Sequence, residues 1–259
     1  MQINNSLTNK TKKEQNMKKI IFTLLALVGT MSMNAQKVQV MKIYNGDQLV
    51  AKYKPNQATH VVFVEELATT GTEKRTGNID VNWVQLWENG PKFAEYNVGA
   101  ANNKAEDYGV YYAWGGSQNR VDDHNTGSEA LTGDTDTATK LWGDKWRMPT
   151  KEEFQALLVN CNVEWIDGSE KKYNNTDVTG LLCTGKGEYL FNSVFLPAAG
   201  YCDRGSVYVK GDYGLYWSCT PDADVSDGAH DLYFVSRDQV VGGDFRRYGG
   251  SVRAVLAEE

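Results

Sequence analysis

A chain of 259 residues, 41% hydrophobic and 23% charged, has room for one or two soluble globular domains. Its net charge of −6 argues against a nucleic-acid partner, because neutralising phosphates needs clustered lysine and arginine. Seven Trp and fourteen Tyr, nearly all from Trp83 onward, are many for the length, and their polar-tipped rings suit recognition surfaces as well as core packing.

Met17-Lys18-Lys19 and the apolar run 20–33 have the form of a signal peptide, too short to span a bilayer. Residues 1–16, polar and rich in Lys and Asn, read as a misassigned start, so the true start is expected at Met17 and cleavage near Ala35-Gln36. The mature chain is then exported to a periplasm, a cell surface or the medium, with no membrane span expected in it.

Residues 38–53 alternate around Asn45-Gly46-Asp47, the pattern of an antiparallel hairpin, and 60–64 form another apolar run. Together residues 36–66 make a small N-terminal β unit, too small to hold a core alone. Residues 67–78 are almost devoid of apolar side chains and read as a linker, leaving 79–259 as the main domain. Within it, 82–87 and 108–114 read as strands, and the polar stretch 117–139 is expected to be disordered.

A helix is expected after Pro149, which fixes its own φ and discourages helix in Met148. Thr150 and Glu153 have the spacing of a capping box, with acidic Glu152 and Glu153 suited to the positive helix end. Phe154, Leu157, Leu158 and Cys161 then form one buried stripe. Beyond it, 178–183 and 189–197 flank a Gly185-Lys186-Gly187 hairpin, and short strands follow at 207–209, 215–219, 230–235 and 252–255. Many short strands around one or two helices define an α+β domain.

Cys161, Cys183, Cys202 and Cys219 lie in the exported portion, where disulfides are permitted in three connectivities. Cys161 and Cys183 also read as buried small hydrophobes, and none of the four has metal-site spacing. His60, His124 and His230 are isolated, and no carboxylate pair stands out. Near the carboxyl end, alternation turns Leu232 and Phe234 toward the core and Asp231, Tyr233 and Val235 away from it. Arg237, Asp244, Arg246 and Tyr248 are then expected to cluster near the following turn, offering the arginine and tyrosine enriched in binding hot spots.

Trp146-Arg147-Met148-Pro149-Thr150-Lys151-Glu152-Glu153-Phe154, Phe195-Leu196-Pro197-Ala198-Ala199-Gly200-Tyr201, Leu215-Tyr216-Trp217-Ser218-Cys219-Thr220 and Gly249-Gly250-Ser251-Val252-Arg253-Ala254-Val255 occur in this order. The set resembles the Fibrobacter succinogenes major paralogous domain and the formylglycine-generating-enzyme-like domains, both of C-type-lectin-like fold. The resemblance covers most of residues 82–255 and implies short twisted antiparallel strands, long loops and non-enzymatic binding of a glycan or surface protein. The paired cysteines of formylglycine-generating enzymes have no match here, so an oxidoreductase of that kind stands as the alternative, beside a structural role at the cell surface. Calcium, which some lectins of this fold use, would have Asp222, Asp224 and Asp227 as local candidates, although the lectin motifs are absent and the loop reads as solvated; no cofactor is expected. Retroelement-diversified relatives vary in the stretch that corresponds to Ser236, Arg237, Asp238, Gly242, Asp244, Arg246 and Arg247. Without Gly242, and with Asp222, His230, Tyr233 and Tyr248, they make up the expected ligand-binding set.

Overall fold

The computed structural model describes residues 41–45, 48–53, 69–117 and 122–257. The expected signal peptide, its cleavage site and the run at 60–64 lie outside the described residues. The chain divides into two compact units, Met1–Glu66 and Leu67–Glu259. In the first, β1 (Met41–Asn45) pairs antiparallel with β2 (Gln48–Tyr53), with a register shift between Ile43 and Tyr44. This is the hairpin that the Asn-Gly turn predicts.

The second unit is an α+β fold dominated by strands. A five-stranded sheet has the order β3 (Thr70–Arg75), β4 (Ile79–Gln85), β5 (Lys92–Ala94), β15 (Val255–Leu256) and β6 (Trp146–Arg147). Its closing strand β15 bridges β5 and β6, so the last residues of the unit complete the sheet that its first residues begin. Two three-stranded antiparallel sheets follow: β7 (Asn162–Ile166), β8 (Gly180–Thr184) and β9 (Ser193–Pro197), then β12 (Gly214–Pro221), β13 (Gly228–Val235) and β14 (Asp238–Phe245). The hairpin of β10 (Tyr201–Asp203) and β11 (Ser206–Tyr208) stands between them in the chain.

Thr70 to Arg75, expected as part of a linker, is strand β3 instead. It contains no large apolar residue, so hydrophobic alternation gave no signal. The backbone pairs with β4 from Thr70↔Val84 to Arg75↔Ile79, and the indole of Trp146 donates to the Lys74 carbonyl at 2.9 Å. A charged edge strand of this kind also discourages pairing with other chains.

The stretch expected to be disordered is likewise ordered over its described part. Helix α1 (Thr137–Trp142) starts there, capped by Asp136, whose side chain accepts from the amides of Thr139 (3.0 Å) and Met148 (2.8 Å). Asn125 donates its amide to the Trp114 carbonyl, and Leu131 donates to Cys219. Polar composition concealed this order, because backbone hydrogen bonds and a buried carboxylate supply it.

Helix α2 (Lys151–Asn160) begins as its sequence requires. Thr150 Oγ accepts from the Glu153 amide, and Glu153 returns a carboxylate oxygen to the Thr150 amide. Arg147 then grips both oxygens of that carboxylate, at 2.7 and 2.6 Å. A planar guanidinium on a carboxylate is a strong, directional pair, and it welds the extended Trp-Arg-Met segment to the helix start. Phe154 and Leu157 are fully buried.

The β12–β14 sheet lies between two cores. Leu215 and Trp217 enter one with Trp114, Trp146 and Val252; Tyr216 enters the other with Phe154, Leu157, Leu232 and Phe234. Arg253 is buried where the chain's blocks meet and donates to Asn97 Oδ1 and to the carbonyls of Ala94, Glu95 and Phe195.

Candidate functional site

Three segments build one aromatic face. Arg204 and Gly205, with φ of 48° and 81°, form the two-residue turn that closes the β10–β11 hairpin; positive φ at both central residues matches the twist of the flanking strands. The register sets Tyr201 opposite Tyr208, and their rings stack at 5.4 Å. Reciprocal backbone bonds between Cys202 and Gly249 fix the hairpin to the segment after β14. Gly200 has a φ of +73°, and a Cβ there would meet the Tyr208 carbonyl at 2.1 Å, so this close approach requires glycine.

From Tyr201 the face spreads to Tyr213 at 5.8 Å and to Tyr248 at 5.3 Å. Tyr213 reaches Tyr233 at 5.0 Å, and Tyr248 reaches Phe245 at 5.7 Å. Tyr208 is 46% exposed and Phe245 41%, with Val207, Val209 and Val240 also exposed. Val209 is held at a φ of +47°, a costly conformation for a β-branched residue that marks a constrained position.

Asp231 lies on the same side of β13 as Tyr233 and is only 1% exposed. It was expected to face away from the core. It does point opposite Leu232 and Phe234, but that side carries the core of Trp114 and Trp146, with Trp217 directly across on β12 and Gly242 on β14. Its Oδ2 is buried without a hydrogen-bond partner. Burial, and then the charge of Asp244, push its carboxyl up to about 8, so Asp231 is a neutral acid at pH 7. Burial also raises Asp244, whose Oδ2 is 3.5 Å from the Tyr213 hydroxyl. The Tyr213 phenol is pushed up by burial and by these two carboxyls.

The expected ligand-binding residues do not form one site. Tyr233, Asp244 and Tyr248 join the aromatic face. Ser236, Arg237 and Asp238 are exposed at the β13–β14 turn, whereas Asp244 lies opposite Ala229 near the other end of the ladder. Asp244 lies six residue steps along the strand from Asp238, roughly 20 Å at about 3.3 Å per residue. The expected cluster of Arg237 with Asp244, Arg246 and Tyr248 therefore does not form.

Arg246 is 2% exposed and is no surface residue. Its guanidinium lies 4.4 Å over the Trp114 ring and donates to the carbonyls of Gly228, Gly127 and Asn125, tying the polar stretch to the hairpin. Arg247 sits over Phe245 and Tyr248 at 4.3 and 4.9 Å, with Asp227 at 3.7 Å. His230 alternates to the helix side, where Nδ1 contacts the Gly242 carbonyl at 2.9 Å. Asp222 accepts from the amides of Asp224 and Val225, so its carboxylate shapes its own turn. Among the described residues no group of three or more His, Cys, Asp or Glu side chains is placed to hold a metal.

Sequence reasoning missed Tyr201, Tyr208, Tyr213 and Phe245. The spacing of Tyr201 and Tyr208 around Arg204-Gly205 was the available signal, since a two-residue hairpin turn there places both on one face. All four cysteines are free and buried. Burial pushes the Cys161 thiol up to about 12 and the Cys219 thiol up to about 11, which disfavours the reactive thiolate. Clefts among the described residues lie elsewhere, one of ≈ 440 Å³ beside Trp83, Glu95 and Tyr173, and one of ≈ 200 Å³ beside Arg75 and Trp142.

Fold and site together define an α+β protein with a tyrosine-rich surface over a buried carboxyl. No protein-family model, curated protein or solved structure matches the chain. No helix among the described residues is long and apolar enough to cross a membrane.

Proposed function

We propose that this is an exported, non-enzymatic recognition protein with a C-type-lectin-like domain of the Fibrobacter major paralogous type, and that it binds a surface protein through its tyrosine-rich face. The observation that carries this reading is the unbroken series of rings from Tyr208 through Tyr201 and Tyr248 to Phe245, exposed at both ends, with Tyr213 branching from Tyr201. Tyrosine supplies large contact area at low entropic cost together with a hydroxyl, and contiguous exposed apolar surface marks interaction sites. Exposed Val240, opposite Tyr233 on β14, favours a protein over a glycan, whose hydroxyls it cannot satisfy. The burial of Asp231 and of all four thiols supports binding over catalysis, since a reacting group has to meet its substrate.

The test is a screen of the full chain against surface-protein and glycan arrays, with and without calcium. A protein ligand should lose at least roughly tenfold in affinity on Tyr208→Ala with Phe245→Ala, and little on Arg237→Ala at the distant turn. The reverse pattern moves the site to the β13–β14 turn and removes the proposal. A glycan as the only ligand would keep the face and change the partner.

A further inference from the structure

The smaller cleft shares no lining residue with the tyrosine-rich face. Its ≈ 200 Å³ lie between the end of β3, residues 96–103 and helix α1, with Val98, Ala100, Leu141 and Trp142 as apolar walls. Arg75, Tyr96, Asn103 and Tyr112 are the polar side chains of its lining, and two of them have a buried donor without a hydrogen-bond partner: Nε of Arg75 and the hydroxyl of Tyr96. Neither side chain is loosely placed. The Arg75 guanidinium lies 5.5 Å over the Trp142 ring, and its Nη2 reaches Asn103 Oδ1 at 3.4 Å. Tyr96 is 3% exposed and packs edge-on against the same indole at 5.5 Å.

A buried donor left unpaired costs about 1–3 kcal/mol, and more when it is charged. Two of them beside one cleft are therefore costly to keep unless an acceptor from outside meets both. Arg75 makes no ion pair among the described residues, so no carboxylate neutralises its charge there. The volume is below the range of about 300–1,000 Å³ usual for larger ligands, and apolar walls suit a ligand that is charged at one end only.

We propose that this cleft binds a small carboxylate with a short apolar body, the carboxylate meeting Arg75 and Tyr96 and the body lying against Val98, Ala100 and Leu141. The guanidinium supplies charge and the phenol a second donor, while Trp142 holds both in place. The site shares none of its lining with the tyrosine-rich face and stands whether or not that face binds a protein.

Calorimetric titration of the full chain at fixed ionic strength tests it, with sodium butyrate, its neutral isostere butyramide and inorganic phosphate as probes. Saturable butyrate binding is expected, with butyramide and phosphate each at least roughly tenfold weaker. Arg75→Gln should lower butyrate affinity by roughly tenfold or more, and Tyr96→Phe, which keeps the ring packing, by several-fold. Far-ultraviolet dichroism establishes that both variants are folded. Absence of saturable butyrate binding, equal affinity for butyramide, or an unchanged affinity in folded Arg75→Gln each overturns the proposal. Phosphate binding tighter than butyrate overturns the assignment to a carboxylate.

Discussion

The network around Arg253 and the face around Tyr213 use the same materials, tyrosine with a carboxyl or an amide, and treat their polar groups in opposite ways. Arg253 spends its donors on Asn97 and on three carbonyls from separate segments. Asn97 in turn donates to the Tyr108 carbonyl and to the Tyr216 hydroxyl, which donates to Pro197. At the tyrosine-rich face, Asp231 Oδ2 has no partner, and the outermost rings remain in solvent. A satisfied buried network specifies one arrangement of the chain. An unsatisfied one costs stability, and is retained where it serves something beyond the fold.

The strongest way to break this contrast is Arg253→Ala. It should lower stability by about 3–5 kcal/mol, because four acceptors lose their donor and a cavity opens among buried groups. Urea denaturation measures it, and a loss under about 1 kcal/mol would mean that the network is incidental.

Asp231 sharpens the comparison through pH. Its folded value of about 8 lies above that of an unfolded aspartate, so the folded state keeps a proton that the unfolded state has released. The stability it contributes is complete below the ordinary aspartate range and is lost as pH rises toward about 8. Denaturation midpoints at a series of pH values should show this decline in the native protein and a much flatter profile in Asp231→Asn. Identical profiles would place the proton elsewhere.

Smallest in stability is Tyr208→Ala, expected within about 0.5 kcal/mol of the native protein because half of the ring already faces water. A melting curve that falls well outside this range would make Tyr208 part of the core rather than of a surface held ready for a partner.

Local signals were legible wherever the deciding residues lie close in the chain. The Thr150–Glu153 capping box, the helix stripe through Phe154 and Leu157, and the inward Leu232 and Phe234 all appear in the structure as their spacing predicts. The carboxyl-terminal site was legible only in part. Alternation identified which side of β13 Tyr233 takes, but not what covers that side. Arg246 illustrates the difficulty, since a charged residue beside a strand end reads as exposed until Trp114 and three carbonyls are seen to enclose it.

The helix start, the pairing of β1 with β2 and the inward side of β13 follow from the sequence alone, because sterics, capping and alternation act over a few residues. Only the tertiary structure decided that residues 70–75 would be a strand, that Asp231 would be buried as a neutral acid, and that five tyrosines would meet. Each of these depends on groups brought together from distant parts of the chain: Trp146 on Lys74, Trp217 beside Asp231, and the β10–β11 hairpin against residues 245–249. Burial and hydrogen bonding are properties of those meetings, and no local pattern contains them.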